Sequence, residues 1–353
     1  MVRRMGTLLI VLGVLAALAV GGFAVFVRWA LADWDGDDPA AEGSVVFREL
    51  VGARPGEPGP ELRVLTWNAA FGGGAGKQPT ERHTKGEVLA NLSSLARRVA
   101  ALKPDVVFLQ EVDRPSDRSG DVDQLTVLQD TLGLPYACFV TTWRVRYLPF
   151  PYWPPSAHLG RVWSGQAVLS RFPIGACRRV ALPQPPDNPW WYNRFFLHRA
   201  AQVVALDVPG RGRLNVVNVH AEAFSQASRE EHARLIAAEV DRLPADQPLV
   251  VAGDLNTVPA DAPQKLGFVD EPETDFTTDQ TLAIVRAVEG LREVFLDDQP
   301  GHPDPQLTFP AEKPTRRLDY IFARGLGAST SRRVVDEAAA SDHRPIVATY
   351  SWK

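Results

Sequence analysis

A chain of 353 residues that is 45% hydrophobic and 23% charged has the make-up of a globular body with an ordinary buried core, in one large domain or two small ones. Its formal net charge of -4 provides no global basic field. That speaks against a dedicated nucleic-acid binder and leaves room for an enzyme that only visits a polyanion.

Leu8 to Val27, "LLIVLGVLAALAVGGFAVFV", is uncharged and close to the roughly 20 residues that cross a bilayer's hydrocarbon core. It predicts one transmembrane helix behind a short N-terminus, residues 1–7. Arg3 and Arg4 precede it and Asp33, Asp35, Asp37 and Asp38 follow it, so the N-terminus is expected in the cytoplasm and the rest of the chain outside. A cleaved signal peptide is the competing reading, with Ala30-Leu31-Ala32 as an A-x-A-like site. The run is long beside a signal core of about 7–15 residues, and the anchor is preferred. Both readings export the body of the chain. Residues 28–61, acidic and rich in Gly and Pro apart from "SVVF", read as a tether. Residues 62–353 show no equally clear break and read as one domain.

Within it, short apolar runs rich in Val, Ile and aromatics keep ending in a polar group: "RVLTWN", "VVFLQE", "LNVVNVH", "PLVVAGDLN" and "RLDYIF". Their length suits buried strands. Two helices separate some of them. "TKGEVLANLSSLARRVAALKP" carries a stripe of Leu89, Leu92, Leu95, Val99 and Leu102, a capping box from Thr84 to Glu87, and a stop at Pro104. "SREEHARLIAAEVDRLP" repeats the device, with Ser228 and Glu231 as the box. Many strands and few helices predict an α+β arrangement of packed sheets covered by helices. Cys138 and Cys177 are the two cysteines; export permits a disulfide, and two buried thiols are equally compatible with the sequence.

Asn68, Glu111, His220, Asp254, Asn256 and Asp319 each stand at or near the end of such a run, where a rigid core can hold polar groups in a common cleft. Asp254 and Asn256 are two apart and would share a face if the segment stays extended. Glu111 is an isolated carboxylate after an apolar run, an oxygen ligand suited to a hard cation such as Mg²⁺. Asp342 and His343 sit side by side in "SDHRPI", and a shared task for them requires a loop, because neighbours in a strand point to opposite faces.

In order along the chain, "LTWN", "PDVVFLQEVD", "SGQAVLSRFPI", "NVVNVHAE", "VVAGDLNT", "TFPAEKPTRRLDYIF" and "SDHRPI" resemble the successive motifs of the endonuclease/exonuclease/phosphatase superfamily. The resemblance implies a four-layered α/β/β/α sandwich and metal-dependent hydrolysis of a phosphate ester. It implies metal association for Asn68, Glu111 and Asp342, with Mg²⁺ as the expected cofactor and Mn²⁺ as a substitute. It implies catalytic roles for His220, Asp254, Asn256, Asp319 and His343: Asp254 and Asn256 orient water and phosphate, and Asp319 holds His343.

Between Cys138 and Arg199 lie five of the nine Trp and eight Arg against the single acid Asp187. Aromatics interleaved with Arg suit a membrane interface, and equally stacking on single-stranded nucleic acid. With the anchor, the segment 143–196 favours a phospholipid as the phosphate ester acted on, by a monomer at the outer membrane surface. An exported nuclease is the alternative, and a non-catalytic anchored binding module the third reading.

Overall fold

The structure is a computed structural model, and it describes residues 2–32, 44–75, 81–295, 306–335 and 341–353. The acids at 33, 35, 37 and 38 that orient the anchor lie outside the described residues, as do the side chains of Arg3 and Arg4. Thirteen strands are seen among the described residues: β1 Val45–Glu49, β2 Glu61–Asn68, β3 Val106–Asp113, β4 Tyr136–Leu148, β5 Gly160–Ser170, β6 Ile174–Leu182, β7 Arg199–Val208, β8 Gly212–His220, β9 Leu249–Asp254, β10 Arg292–Glu293, β11 Asp319–Arg324, β12 Ser329–Val334 and β13 Ile346–Ser351. The helices are α1 Val2–Ala30, α2 Lys85–Ala101, α3 Gln124–Leu132, α4 Trp190–Asn193, α5 Gln226–Asp241 and α6 Thr281–Arg286.

The strands form a seven-stranded sheet in the order β1-β4-β5-β3-β2-β13-β12 and a six-stranded sheet in the order β10-β11-β9-β8-β7-β6. Alternation along the strands builds the layers. In β2, Val64 faces the core between the sheets while Leu65 faces α2 and α3; in β9, Val250 faces between the sheets while Val251 faces α5 and α6. Three apolar clusters therefore separate four layers, α/β/β/α, as the motifs imply.

Each sheet contains one parallel pair, β2 with β3 and β8 with β9. A parallel pair needs a crossover, which α2 and α5 supply. Both pairs point their C-terminal ends to the same edge of the sandwich. A ladder of buried amides ties the sheets together just behind that edge: Gln110 Nε2 donates to Asn218 Oδ1 at 2.7 Å, Asn218 Nδ2 to Gln202 Oε1 at 3.1 Å, and Gln202 Nε2 to the Cys138 carbonyl at 2.8 Å. The expected strand runs become β2, β3, β8, β9 and β11. Cys138 on β4 and Cys177 on β6 are joined by a disulfide, a covalent link between the two sheets.

Two sequence readings are corrected. Val45–Glu49, placed in the tether, forms the edge strand β1, antiparallel to β4. Val46 packs on the first helical layer's core, and Arg48 bonds Asp130 at 2.8 Å. The Thr84–Glu87 capping box is present. The second helix, however, starts three residues earlier, with Ser225 as the cap accepting from Ser228 N, so Ser228 and Glu231 lie inside the helix. In α1, the stretch Met5–Ala30 is long and apolar enough to cross a membrane, and its side chains up to Val25 are exposed, Leu9 at 67% and Val20 at 70%.

Candidate active site

Backbone geometry delivers the acids to the cleft. In the second sheet, His220, Asp254 and Asp319 are successive register partners across β8, β9 and β11. In the first sheet, Asn68 closes β2. Glu111 lies in β3 where the pairing with β5 slips, and its φ is +50°. A bulge of this kind re-aims a side chain, and a non-glycine residue at positive φ carries strain that is concentrated at functional sites. Gly253, before Asp254, lies at φ +144°, and a Cβ there would stand 2.0 Å from the Val219 carbonyl oxygen. Only glycine lets β9 approach β8 so closely there.

Asn256 departs from the expected extended pairing with Asp254. It has φ +49°, its backbone N–H donates to Asp254 Oδ1 at 2.8 Å, and its Nδ2 donates to the Ala221 carbonyl at 3.1 Å. The strand has already ended at Asp254, and a tight turn rather than strand alternation brings the two side chains into one cleft.

Asp342 and His343 occupy a loop, as a shared task demands. Ser341 pins it: its Oγ donates to the Asn68 carbonyl at 2.6 Å and accepts from His343 N at 3.0 Å. His343 Nδ1 then donates to Asp319 Oδ2 at 2.8 Å, and its Nε2 lies 3.7 Å from Asp254 Oδ2. His220 Nε2 is 3.6 Å from the same Asp254 oxygen and 3.7 Å from Glu111 Oε1. Asn68 Nδ2 reaches Asp254 Oδ2 at 3.0 Å and Glu111 Oε1 at 3.5 Å, while its Oδ1 accepts from Ala70 N. Asn68 thus presents its NH₂ to both acids and clamps them, instead of offering a cation the oxygen that a ligand would need. Asn68, Glu111, His220, Asp254, Asn256, Asp342 and His343 line one cleft of about 270 Å³, and Asp319 lies behind His343.

Charge is unevenly distributed among these groups. Burial alone would depress the His343 imidazolium, but the carboxylates of Asp319 and Asp254 outweigh it and push the group up to about 10. His220 is held well below the ordinary histidine range by burial, by Arg199 and by His343. Asp254 is raised to about 7, first by burial and then by Asp319, against the opposing pull of His343 and Asn68. Asp342 is raised to about 6, first by burial and then by Glu111, with His343 opposing.

Glu111, Asp254 and Asp342 gather at the cleft around the single charged ring of His343, with Asp319 behind it, so the acids outnumber that cation. Oδ1 of Asp319 is also buried without a hydrogen-bond partner. The donors are hard oxygens, and the Glu111 side chain is still 30% exposed to the cleft. These residues fit a divalent cation. Asp254, Asp319 and His343 offer ligand atoms within 4.8 Å of one another. In that group His343 occupies Oδ2 of Asp319 and leaves Oδ1, and Glu111 and Asp342 add carboxylate oxygens in the cleft itself.

Arg199 was not singled out from the sequence. It opens β7, is buried, and places Nη1 2.8 Å from His220 Nδ1. Its signal was a lone Arg before the run "AAQVVAL", indistinguishable from the seven other Arg of that region.

Comparison with known proteins matches residues 65–343 to the Endonuclease/Exonuclease/phosphatase family. The Escherichia coli K12 protein YbhP is 27% identical over 272 residues, 74% of this chain and 87% of its own length. Among solved structures, an endonuclease/exonuclease/phosphatase from Beutenbergia cavernae aligns with TM-score 0.57 and 24% identity, covering 83% of this chain and 72% of its own. A humanized D. rerio TDP2 carrying 14 mutations aligns with TM-score 0.53 and 16% identity, covering 83% of this chain and 99% of its own. At such identities the two structures speak to the fold alone.

Proposed function

We propose that this chain, which belongs to the endonuclease/exonuclease/phosphatase family of generally metal-dependent phosphoesterases and nucleases, is a Mg²⁺-dependent phosphodiesterase acting on a phospholipid at the outer surface of the membrane that holds α1. The observation that carries the reaction is the different charge of two histidines around one acid. His343 and His220 lie 3.7 and 3.6 Å from Asp254 Oδ2, the first raised to about 10 and the second held neutral. Beside Asp254 the charged His343 can give a proton, while the neutral His220 is a hydrogen-bonding group next to the acid that takes the proton of the water.

A phosphodiester repels nucleophiles with its own oxygens, so hydrolysis needs positive charge at the phosphate, a placed water and a proton for the leaving oxygen. A divalent cation, when held by Glu111 and Asp342, supplies further neutralisation of a non-bridging oxygen. The His343 imidazolium, kept charged by Asp319, faces the phosphate and donates from Nε2 to the leaving oxygen. Asp254, raised to about 7, accepts the proton of a water that the Asn256 turn helps to place. Asn68 keeps Glu111 and Asp254 apart and aimed.

Support for a lipid comes from α1. Phe26 and Trp29 pack on Tyr147 of β4 at ring-centroid distances of 6.0 and 6.2 Å, so the end of the helix is seated on the domain itself. In the aromatic segment, Tyr152 and Trp153 are 62% and 81% exposed, in keeping with an interfacial belt. The side chains of Trp190 and Trp191 lie outside the described set. The test is a panel of phospholipid, DNA, RNA and inositol phosphate substrates given to the full-length protein with Mg²⁺ and with excess chelator. Lipid turnover that disappears in chelator is expected. Turnover of nucleic acid with none of lipid would replace this reading with the nuclease.

A further inference from the structure

Beside the catalytic cleft lies a second cavity, of about 360 Å³, that the chemistry above does not use. Leu148, Phe150, Tyr152, Leu159, Phe195 and Phe196 supply half of the residues in its wall. Arg118, Trp143, Leu197 and Phe224 line both cavities, so the two adjoin. The one charge among these residues is already spent: Arg118 donates to both oxygens of Asp113, at 2.9 and 2.8 Å. Trp143, which lines both cavities, keeps a buried Nε1 donor without a hydrogen-bond partner, and the rest of the wall is chiefly aromatic and aliphatic, so an occupant of the second cavity is mainly apolar and adjoins whatever lies in the catalytic cleft.

The same cavity is built onto the end of the membrane helix. Leu31 packs against the cluster of Trp143, Val145, Leu148, Leu159 and Val162, which Phe195 and Leu197 also join. Two of the exposed aromatic residues, Phe150 at 37% and Tyr152 at 62%, line it. The cavity is thus both an extension of the phosphate site and a neighbour of the bilayer.

We infer that this cavity is a subsite for the hydrocarbon chain of a membrane lipid whose phosphodiester occupies the catalytic cleft. The inference rests on the phosphodiesterase reading and adds to it the part of the substrate that is recognised. A chain drawn into the pocket exchanges bilayer contacts for aromatic walls, so its phosphate is presented to His343 without leaving the membrane surface. Discrimination then lies in chain length and shape, which an uncharged aromatic slot can measure, and a nucleotide lacks the chain altogether.

The test uses the full-length protein in bilayer discs of a phosphate-free glycolipid and methyl(alkyl)phosphinates from butyl to decyl, whose two P–C bonds are not hydrolysed, as probes. Affinity is measured calorimetrically, with empty discs as the blank. The wild type is compared with Phe150→Glu and Tyr152→Glu, two exposed positions where a charge leaves the fold intact; melting temperature checks this. Each buried methylene is worth up to about fourfold in affinity. From butyl to decyl the wild type is expected to gain at least about tenfold more than either variant, since partition into the disc is common to all three. Equal chain-length slopes in folded wild type and variants would overturn the subsite, as would tighter binding of a nucleoside methylphosphonate than of the decyl probe. Turnover of bis(p-nitrophenyl) phosphate is followed in parallel. Its absence would count against the reaction and not against the pocket, which the binding slopes judge by themselves.

Discussion

Asp319 and Asp254 face each other in register across β11 and β9, and together they hold the two nitrogens of His343, Nδ1 at 2.8 Å from Asp319 and Nε2 at 3.7 Å from Asp254. One strand pair thereby orients the ring and keeps it charged. All three groups are buried. His343→Ala and Asp319→Ala are each expected to lower turnover by about 10²-fold or more. If they act as a unit, the double variant loses much less than the product of the single losses. The readout is turnover of a small phosphodiester, with melting temperature showing that the domain stays folded. Losses that multiply independently would make Asp319 a purely structural residue.

The same ring makes a pH prediction. A histidine raised on folding, here to about 10 against an ordinary value near 6.5, adds stability that is complete below about 6.5 and lost as pH rises through about 10. In excess chelator, where the residues alone set the balance, the melting temperature of the wild type is expected to fall more steeply between pH 7 and 10 than that of His343→Gln. Parallel curves would show that the ring is not held charged by its neighbours.

Much of this site is legible in the sequence because strand ends carry it. The runs ending in Asn68, His220 and Asp254 become strands whose C-terminal ends meet at one edge, and the loop required by the adjacent Asp342 and His343 is present. What escaped depends on local backbone shape or on distant partners. The turn at Asn256 and the bulge at Glu111 need positive φ, which neither residue type announces. β1 was hidden because five residues in an acidic, Pro-rich segment become a strand only when β4 offers an open edge. Arg199 and the amides Gln110, Gln202 and Asn218 have no pattern of their own, and their meaning comes from the facing sheet.

The Glu111 side chain is 30% exposed in the cleft, and its neighbour Asn68 offers a donor rather than an acceptor. Glu111→Gln keeps the shape and removes the charge. It is expected to raise the Mg²⁺ concentration needed for half-maximal activity by about tenfold or more, comparable to the loss seen on altering groups around a metal site. Activity at saturating Mg²⁺ should recover much of the wild-type value. Excess chelator should abolish turnover of the wild type; full activity in chelator would remove the cation from the account.

The link between Cys138 and Cys177 bears on where the domain folds. It spans 39 residues and joins β4 of one sheet to β6 of the other, so it closes a loop that the unfolded chain would otherwise leave free. The loop-entropy relation gives about 4 kcal/mol for such a closure. Cys138 is fully buried, and the Gln202 amide bonds its carbonyl oxygen at 2.8 Å, so the sheets are held together at this point by polar as well as covalent contacts. A Cys138→Ala, Cys177→Ala double variant is therefore expected to fold to the same sandwich and to lose about 2–4 kcal/mol in denaturant unfolding. Thiol trapping of the protein taken directly from cells should find both cysteines blocked if the domain folds outside the cytoplasm, where disulfides persist. Two free thiols in the membrane-bound protein would place the domain on the reducing side and reverse the orientation expected from Arg3 and Arg4.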